Sequence, residues 1–138
     1  PADSLLDGVG RGMPALLRAF KLQKRAAAAG FEWKNSSDIF DKLDEEVAEL
    51  REAMAATPND PAAIEDELGD VLFVMVNIAR KLEKDSETAL ARACDKFERR
   101  FCAMEQILRE RHKGQKIEDL EKAQMTAGWQ EAKAREKP

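Results

Sequence analysis

Residues 67–80 read E-L-G-D-V-L-F-V-M-V-N-I-A-R, an acidic start followed by an apolar run that only Asn77 interrupts. A helix that is apolar nearly all round is expected to be buried. At about 100° per residue, Glu67 lies on the same side of this helix as Val74 and Ile78. A buried carboxylate without compensation costs several kcal/mol, so Glu67 should be neutralised, paired or bound to a metal.

The chain around this segment predicts an all-α fold, a bundle of four to five helices. Ala, Leu, Glu, Lys and Arg outnumber Val, Ile and Thr, which favours helix over sheet. Pro, Ser, Asp and Gly mark the helix ends. The predicted helices run from Pro14 to Gly30, from Ser36 or Ser37 to about Ala56, from Asp60-Pro61 to about Leu82, from Asp85 or Ser86 to Lys113-Gly114, and from about Glu118 to Glu136. Residues 1–12 are expected to form a flexible lead-in to one domain, 13–138.

A second acidic pair precedes the first, in the stretch E-E-V-A-E at residues 45–49. Glu46 and Glu49 stand three residues apart on one side of their helix, as Glu67 and Asp70 do on theirs. If the two helices pack antiparallel, the pairs can converge on one cation, and Mg²⁺ prefers such oxygen ligands. An ordinary solvated acidic face is the alternative for the Glu46–Glu49 pair.

Further along the chain, two pairs at helical i,i+4 spacing could contact a nucleotide. Lys96 and Arg100 could neutralise phosphate or form a salt bridge with another helix. Trp129 and Lys133 could supply a stacking ring and a cation, although Trp129 could equally be a core anchor. Asn77 could hydrogen-bond a base or a sugar, or cap a buried backbone group.

Composition excludes several classes of function. Of the 138 residues, 43% are hydrophobic and 36% charged, and the net charge of −4 argues against nucleic-acid binding through a basic surface. No apolar stretch reaches the length of about 18 residues that a membrane span needs. His112 lacks the partners of a zinc or di-iron site. Cys94 and Cys102 are expected to be reduced and buried, which fits a cytoplasmic location.

The two acidic motifs resemble the pattern E-E-x-x-E … E-x-x-D of the MazG-type nucleoside triphosphate pyrophosphohydrolases. Further blocks in the same order resemble the catalytic, C-terminal-type domain of that family over residues 13–133. They are P-A-L-L-R-A-F-K-L-Q-K-R, G-F-E-W, E-L-G-D-V-L-F-V-M-V-N-I-A-R, K-F-E-R-R-F and G-W-Q-E-A-K.

The resemblance implies a dimeric or higher homo-oligomeric all-α enzyme that cleaves nucleoside triphosphates between the α and β phosphates with an activated water. It assigns Mg²⁺, for which Mn²⁺ could substitute, to four carboxylates: Glu46, Glu49, Glu67 and Asp70. It assigns Glu45 to orienting a ligand or activating the water. It assigns the nucleotide to five further side chains: Asn77, Lys96, Arg100, Trp129 and Lys133.

Two other functions stay open at this point. One is a specialised relative acting on dUTP, dCTP or a phosphoribosyl-ATP intermediate, and the other is a non-catalytic helical module that binds a partner. The better-known family members carry two such domains and this chain carries one, so the sequence also leaves open whether it is a fragment or a complete single-domain member.

Overall fold

The computed structural model describes residues 3–32 and 36–136, apart from the side chains of residues 36 and 37. Within that part the chain forms five α-helices and no strand, which confirms the predicted all-α class. The helices are α1 (Ala15–Ala28), α2 (Ser36–Ala55), α3 (Pro61–Lys81), α4 (Ser86–Arg111) and α5 (Lys122–Glu136). The predicted capping by Ser36 or Ser37 lies outside the described side chains. No described helix combines the length and apolar character needed to cross a bilayer.

Two of the predicted helix ends have clear physical causes. The Asp60 carboxylate accepts hydrogen bonds from the backbone N–H groups of Ala62 and Ala63, and Pro61 fills the first position of α3. At the end of α1, Gly30 adopts a φ of 96°, which glycine tolerates best. The N–H groups of Gly30 and Phe31 then bond back to carbonyls of the last turn, the pattern of a Schellman cap.

The chain divides into two compact units, Pro1–Ala89 and Leu90–Pro138. In the first unit, α2 and α1 both pack against α3. Its core contains Ile39 from the start of α2, Val74 and Ile78 from the second half of α3, and the half-buried Leu43 beside them. Because the start of α2 lies beside the end of α3, the two helices run antiparallel, as the acidic pairs require.

The second unit has its own core, built from Met104, Ile107, Leu108, Leu120 and Ala132. The last helix begins at Lys122 rather than at the predicted Glu118, because a 3₁₀ turn (Ile117–Asp119) comes first. Leu120 is extended at φ −75° and ψ 152°, and it is buried in that core. The Gln124 side chain accepts a hydrogen bond from the Glu121 N–H, one half of a capping box at the true start of α5.

The expectation that α3 is buried nearly all round is wrong for the single chain. Val74, Val76 and Ile78 are buried, but Leu68, Leu72, Phe73 and Met75 are 44–51% exposed. The expectation of buried thiols is wrong as well, since Cys94 and Cys102 are both free and exposed. Periodicity identifies apolar faces correctly, but it does not say which of them the chain covers by itself.

Candidate metal centre

The carboxylate of Glu46 is buried because of its position on α2. Glu46 follows Leu43 by three residues and Ile39 by seven, so it shares the helix face that packs against α3. Only 6% of Glu46 is exposed, and its Oε2 has no hydrogen-bond partner among the described residues. Of its neighbours, Glu49 is half-buried and Glu45 is exposed. The solvated-face alternative therefore does not describe Glu46.

Glu67 occupies the equivalent position on α3. It precedes the buried Val74 by seven residues, so the first two turns of α3 carry it on the face toward α2. Glu67 is half-buried, and its Oε2 is buried without a hydrogen-bond partner in the described part of the chain. Asp70 lies one turn later and is exposed.

The structure brings acidic side chains from both helices together. Oxygens of Glu46, Glu67 and Asp70 lie within 4.8 Å of one another, and so do oxygens of Glu45, Glu46 and Glu49. Glu46 belongs to both groups. We call these five residues the acidic cluster. Glu49 is grouped with Glu45 and Glu46, and the charge of Glu67 on α3 also acts on it.

Two members of the acidic cluster have a raised pKa. When protonated, Glu49 can donate a hydrogen bond to Glu46, and this contact, then the charge of Glu46, partial burial and the charge of Glu67, raises the pKa of Glu49. Desolvation, followed by the charges of Asp66 and Glu46, raises the pKa of Asp70, while Lys42 opposes this shift. Crowded negative charge thus accounts for most of the shift at Glu49, whereas at Asp70 it adds to desolvation.

Lys42 is the one described cation that contacts the acidic cluster. Its Nζ lies 2.9 Å from Oε1 of Glu46 and 3.5 Å from Oε1 of Glu45. The hydrogen bond to Glu46 raises the pKa of Lys42. One ammonium does not balance five carboxylates, and it leaves the buried Oε2 atoms of Glu46 and Glu67 without a partner. These two atoms fit a hard divalent cation, which binds carboxylate oxygens.

In the second unit, the basic residues predicted to bind phosphate differ in their surroundings. Arg100 Nε lies 2.6 Å from Glu136 Oε2, and Arg99 Nε lies 3.2 Å from Oε1 of the same carboxylate. Both arginines lower the pKa of Glu136, Arg100 most strongly. Lys96 is exposed with no ion pair among the described residues, and Lys133 is half-buried.

Trp129 is held at the surface of the second core by its neighbour Gly128. A Cβ at Gly128 would lie 2.8 Å from Leu108 Cδ2, so only glycine allows α5 to approach α4 this closely. Trp129 is half-buried, and its ring centroid lies 5.5 Å from that of Phe97. Trp129 thus packs against the core and is partly accessible, so both sequence-based interpretations remain compatible with its position.

Comparison with known proteins identifies the family of the chain. Residues 34–102, half of the chain, match the family described as the MazG nucleotide pyrophosphohydrolase domain. The chain belongs to the MazG family. The matched residues include the whole acidic cluster, together with Asn77, Lys96 and Arg100.

Curated relatives extend the similarity to both ends of this MazG-family chain. It is 41% identical over 133 residues, 96% of its length, to the nucleoside triphosphate pyrophosphohydrolase of Escherichia coli strain K12, of which the match covers 50%. It is 38% identical over 121 residues to the nucleoside triphosphate pyrophosphohydrolase/pyrophosphatase MazG of Thermotoga maritima, with 88% of this chain and 45% of the relative covered. The protein YabN of Bacillus subtilis is 40% identical over 134 residues, 97% of this chain and 27% of its own length. The chain thus spans about half the length of the first two of these relatives.

Two residues of this MazG domain escaped the sequence analysis. Lys42 stands four residues before Glu46, and this i,i+4 spacing was a usable signal for their contact. Gln23 is a polar residue 5% exposed in α1, next to Asn77 in the lining of one cavity. Nothing in the local sequence distinguishes Gln23 from the polar residues around it, because its burial depends on how α1 packs against α3.

Proposed function

We propose that residues 13–138 form the catalytic domain of a Mg²⁺-dependent nucleoside triphosphate pyrophosphohydrolase, with residues 1–12 as its lead-in. The reaction is the cleavage of a nucleoside triphosphate between the α and β phosphates, giving a monophosphate and pyrophosphate. The observation that carries this proposal is the pair of buried, unpartnered carboxylate oxygens on Glu46 and Glu67 within the acidic cluster. A chain with no use for a cation would gain stability by replacing them.

The relatives support the reaction class. Those from Escherichia coli and Thermotoga maritima are named for nucleoside triphosphate pyrophosphohydrolysis. Because the chain spans about half the length of each relative, we propose their activity for this chain. We expect the enzyme to act on the canonical triphosphates as a group, which is a housecleaning activity on the nucleotide pool. This broad activity should be tested first.

The carboxylates would do most of the chemical work. Glu46, Glu49, Glu67 and Asp70 would hold Mg²⁺, which when bound polarises phosphate oxygens and lowers the pKa of the attacking water. Glu45 is exposed at the edge of the acidic cluster and would accept the proton that the water loses. Lys42 would keep Glu46 oriented through its 2.9 Å contact.

The roles of the remaining predicted residues follow from the family resemblance. Lys96 and Arg100 would bind phosphate oxygens and offset the charge that builds on the departing pyrophosphate. Arg100 would exchange its bond to Glu136 for one to phosphate. Trp129 and Lys133 would close over the nucleotide, an assignment that rests on the family resemblance.

We also propose that the domain self-associates, as a homodimer or a larger homo-oligomer. Leu68, Leu72 and Met75, at i,i+4 and i,i+7 spacing, give α3 an exposed apolar side. Contiguous apolar surface of this kind is rare on monomers and typical of interfaces. Light scattering coupled to gel filtration tests this part, and a monomer at all concentrations would contradict it.

The decisive experiment is pyrophosphate release from a panel of ribo- and deoxyribonucleoside triphosphates with Mg²⁺. We expect turnover of the canonical triphosphates, and ³¹P NMR should detect monophosphate and pyrophosphate without diphosphate. Appearance of a diphosphate would mean cleavage between the β and γ phosphates. A single responsive substrate would instead identify a specialised enzyme, and no turnover of any substrate would favour a binding module.

Matched variants on one helix link the activity to the acidic cluster. Glu67→Ala should abolish turnover while circular dichroism remains helical. Glu65→Ala, an exposed acid two residues earlier on α3, should retain it. Equal activity of the two variants would contradict the proposal.

A further inference from the structure

Arg80 lies near the end of α3 and joins two other residues through its guanidinium group. Its Nη2 donates a 2.9 Å hydrogen bond to Oδ1 of Asn77, one turn earlier on the same helix. Its Nη1 lies 2.6 Å from Oε1 of Glu32, in the segment that follows α1. All three residues line a cavity of about 390 Å³ in the first unit, a volume in the range of small-molecule sites.

Glu32 holds Arg80 through a tertiary contact, because 48 residues separate the two along the chain. The same Oε1 atom of Glu32 also lies 3.2 Å from Nζ of Lys81. Hydrogen bonds from Arg80 and then from Lys81 lower the pKa of Glu32, so its carboxylate is charged at neutral pH. The side chain of Arg80 is 15% exposed and that of Glu32 is 31% exposed, so solvent and salt screen this pair less than a fully exposed one.

The hydrogen bond from Arg80 determines which end of the Asn77 side chain is left for a ligand. A guanidinium only donates hydrogen bonds, so it selects Oδ1 of Asn77 and not the amide nitrogen. That nitrogen, Nδ2, makes no hydrogen bond with the described residues, and it is not one of the enclosed polar atoms in that part of the chain. Without Arg80 the amide could rotate and exchange its two ends, because the oxygen and the nitrogen of an amide have nearly the same shape.

We infer that Arg80 is a positioning residue for Asn77 and that Glu32 holds Arg80 in place. The family resemblance assigns Asn77 to the nucleotide, so this inference rests on the proposed function. The charge of Glu32 fixes the Arg80 guanidinium, and the guanidinium in turn keeps Oδ1 of Asn77 on its own side. Nδ2 is then the end that donates to an acceptor of the nucleoside, which is a ring nitrogen, a carbonyl or a sugar oxygen.

Steady-state kinetics of Arg80→Met test this positioning role. Methionine keeps part of the length of the side chain and removes all of its donors. The KM for a triphosphate should rise by up to about tenfold, the effect of one hydrogen bond, while kcat stays the same because binding alone is weakened. Arg109→Met removes an exposed arginine of α4 that also pairs with a carboxylate, and it should leave both constants unchanged.

The decisive comparison repeats Arg80→Met in an Asn77→Ala background. If Arg80 acts through Asn77, its loss should raise the KM no further once the Asn77 side chain is gone. An equal rise in KM in both backgrounds would mean that Arg80 acts independently of Asn77, and this result would overturn the inference. A fall in kcat at unchanged KM in the single variant would overturn it as well.

Side-chain amide ¹⁵N NMR follows Asn77 without metal, nucleotide or turnover. Arg80→Met should shift the Asn77 Nδ2 signals, because the hydrogen bond at Oδ1 is lost. Glu32→Gln, which keeps the size of the side chain, should shift them less and in the same direction, and it replaces Arg80→Met if that variant does not fold. Unchanged Asn77 signals in a folded variant of either kind would contradict the inference.

Failure of this inference and failure of the proposed function give different results. Triphosphate turnover with a KM that is independent of Arg80 would refute the positioning role alone. Absence of turnover with every triphosphate would refute the proposed function. The affinity for nucleosides, measured through the same Asn77 signals, then takes the place of the KM in the comparison of the two backgrounds.

Discussion

Charge is unbalanced in the acidic cluster on α2 and α3. It is balanced in the ion pairs between α4 and α5. In the first unit, Glu46 is 6% exposed, crowded by other carboxylates and only half satisfied by Lys42. In the second, Arg100 meets Glu136 at 2.6 Å near the surface. Balanced surface pairs contribute little and need nothing further, whereas buried like charges must be protonated, paired or bound to a cation. The imbalance, more than the number of acids, identifies the site.

The largest expected effect comes from Glu46→Gln, which removes the charge common to both carboxylate groups. Turnover with Mg²⁺ should fall about 100-fold or more, the size expected when one charge-stabilising group is lost from an active site. Glu52→Gln makes the same change at an exposed position of α2 and should leave turnover unchanged. Steady-state kinetics with a triphosphate measure both turnover rates. Similar rates for the two variants would contradict a catalytic role for the charge of Glu46.

Two glycines test the packing of the two units. Gly128→Ala in α5 would push a methyl group against Leu108 and should lower the free energy of unfolding by about 1–3 kcal/mol. Gly69→Ala in α3 meets open space in the described chain and should raise it by about 0.5–1 kcal/mol. Urea denaturation measures both. Destabilisation by Gly69→Ala would indicate that another surface covers this part of α3.

The two regions should also respond to pH with opposite sign. The folded-state pKa of Glu49 is raised, so between its ordinary value and the raised one the folded chain binds more protons than the unfolded chain. Its contribution to the stability of the metal-free protein therefore grows as the pH falls through that window. The folded-state pKa of Glu136 is lowered, so its contribution is present above the ordinary glutamate value and is lost as the pH falls through the lowered one.

Carboxyl ¹³C NMR of the metal-free protein can follow both titrations. The Glu49 midpoint should lie above the ordinary glutamate value, and the Glu136 midpoint should lie below it. Equal midpoints for Glu49 and Glu136 would mean that neither region perturbs its acids. Mg²⁺ should bring the Glu49 midpoint down, because a cation competes with the proton.

The smallest effect should come from Glu136→Gln. Breaking an exposed ion pair should leave the melting temperature nearly unchanged. It frees Arg100, so the KM for triphosphate should fall slightly while kcat stays the same. A clear loss of stability would show that this ion pair stabilises the second unit.

Much of the fold could be predicted because local chemistry determines it. Asp60 starts α3 because its side chain accepts hydrogen bonds from backbone N–H groups, and Pro61 has a fixed φ that suits the first turn. Gly30 ends α1 because it adopts a positive φ. Neither helix end depends on distant residues. The start of α5 was missed because Leu120 enters the core in an extended conformation, which is a tertiary effect. The exposure of Leu72 and Phe73 was missed because an apolar stripe does not identify what covers it.

In the candidate site, too, local spacing could be predicted from the sequence and tertiary packing could not. The i,i+3 spacing placed Glu67 and Asp70 on one side of α3. The apolar run around Glu67 predicted a buried carboxylate, and the structure buries its Oε2 while the residue as a whole is half-buried. The approach of Glu46 to Glu67 and Asp70 depends on the separation of two helices, which the spacing within either helix does not give. The burial of Gln23 likewise depends on the packing of α1 against α3.

Mn²⁺ binding, followed by the loss of the free-ion EPR signal in chelator-treated protein, tests the central claim most directly. The wild type should bind Mn²⁺ in competition with Mg²⁺. The double variant Glu46→Gln with Glu67→Gln should bind about 100-fold more weakly or not at all, at least the loss typical of removing groups that merely orient ligands. Glu52→Gln with Glu65→Gln removes two exposed charges from the same helices and should bind normally. Equal Mn²⁺ affinity in the two double variants would contradict a metal centre between α2 and α3.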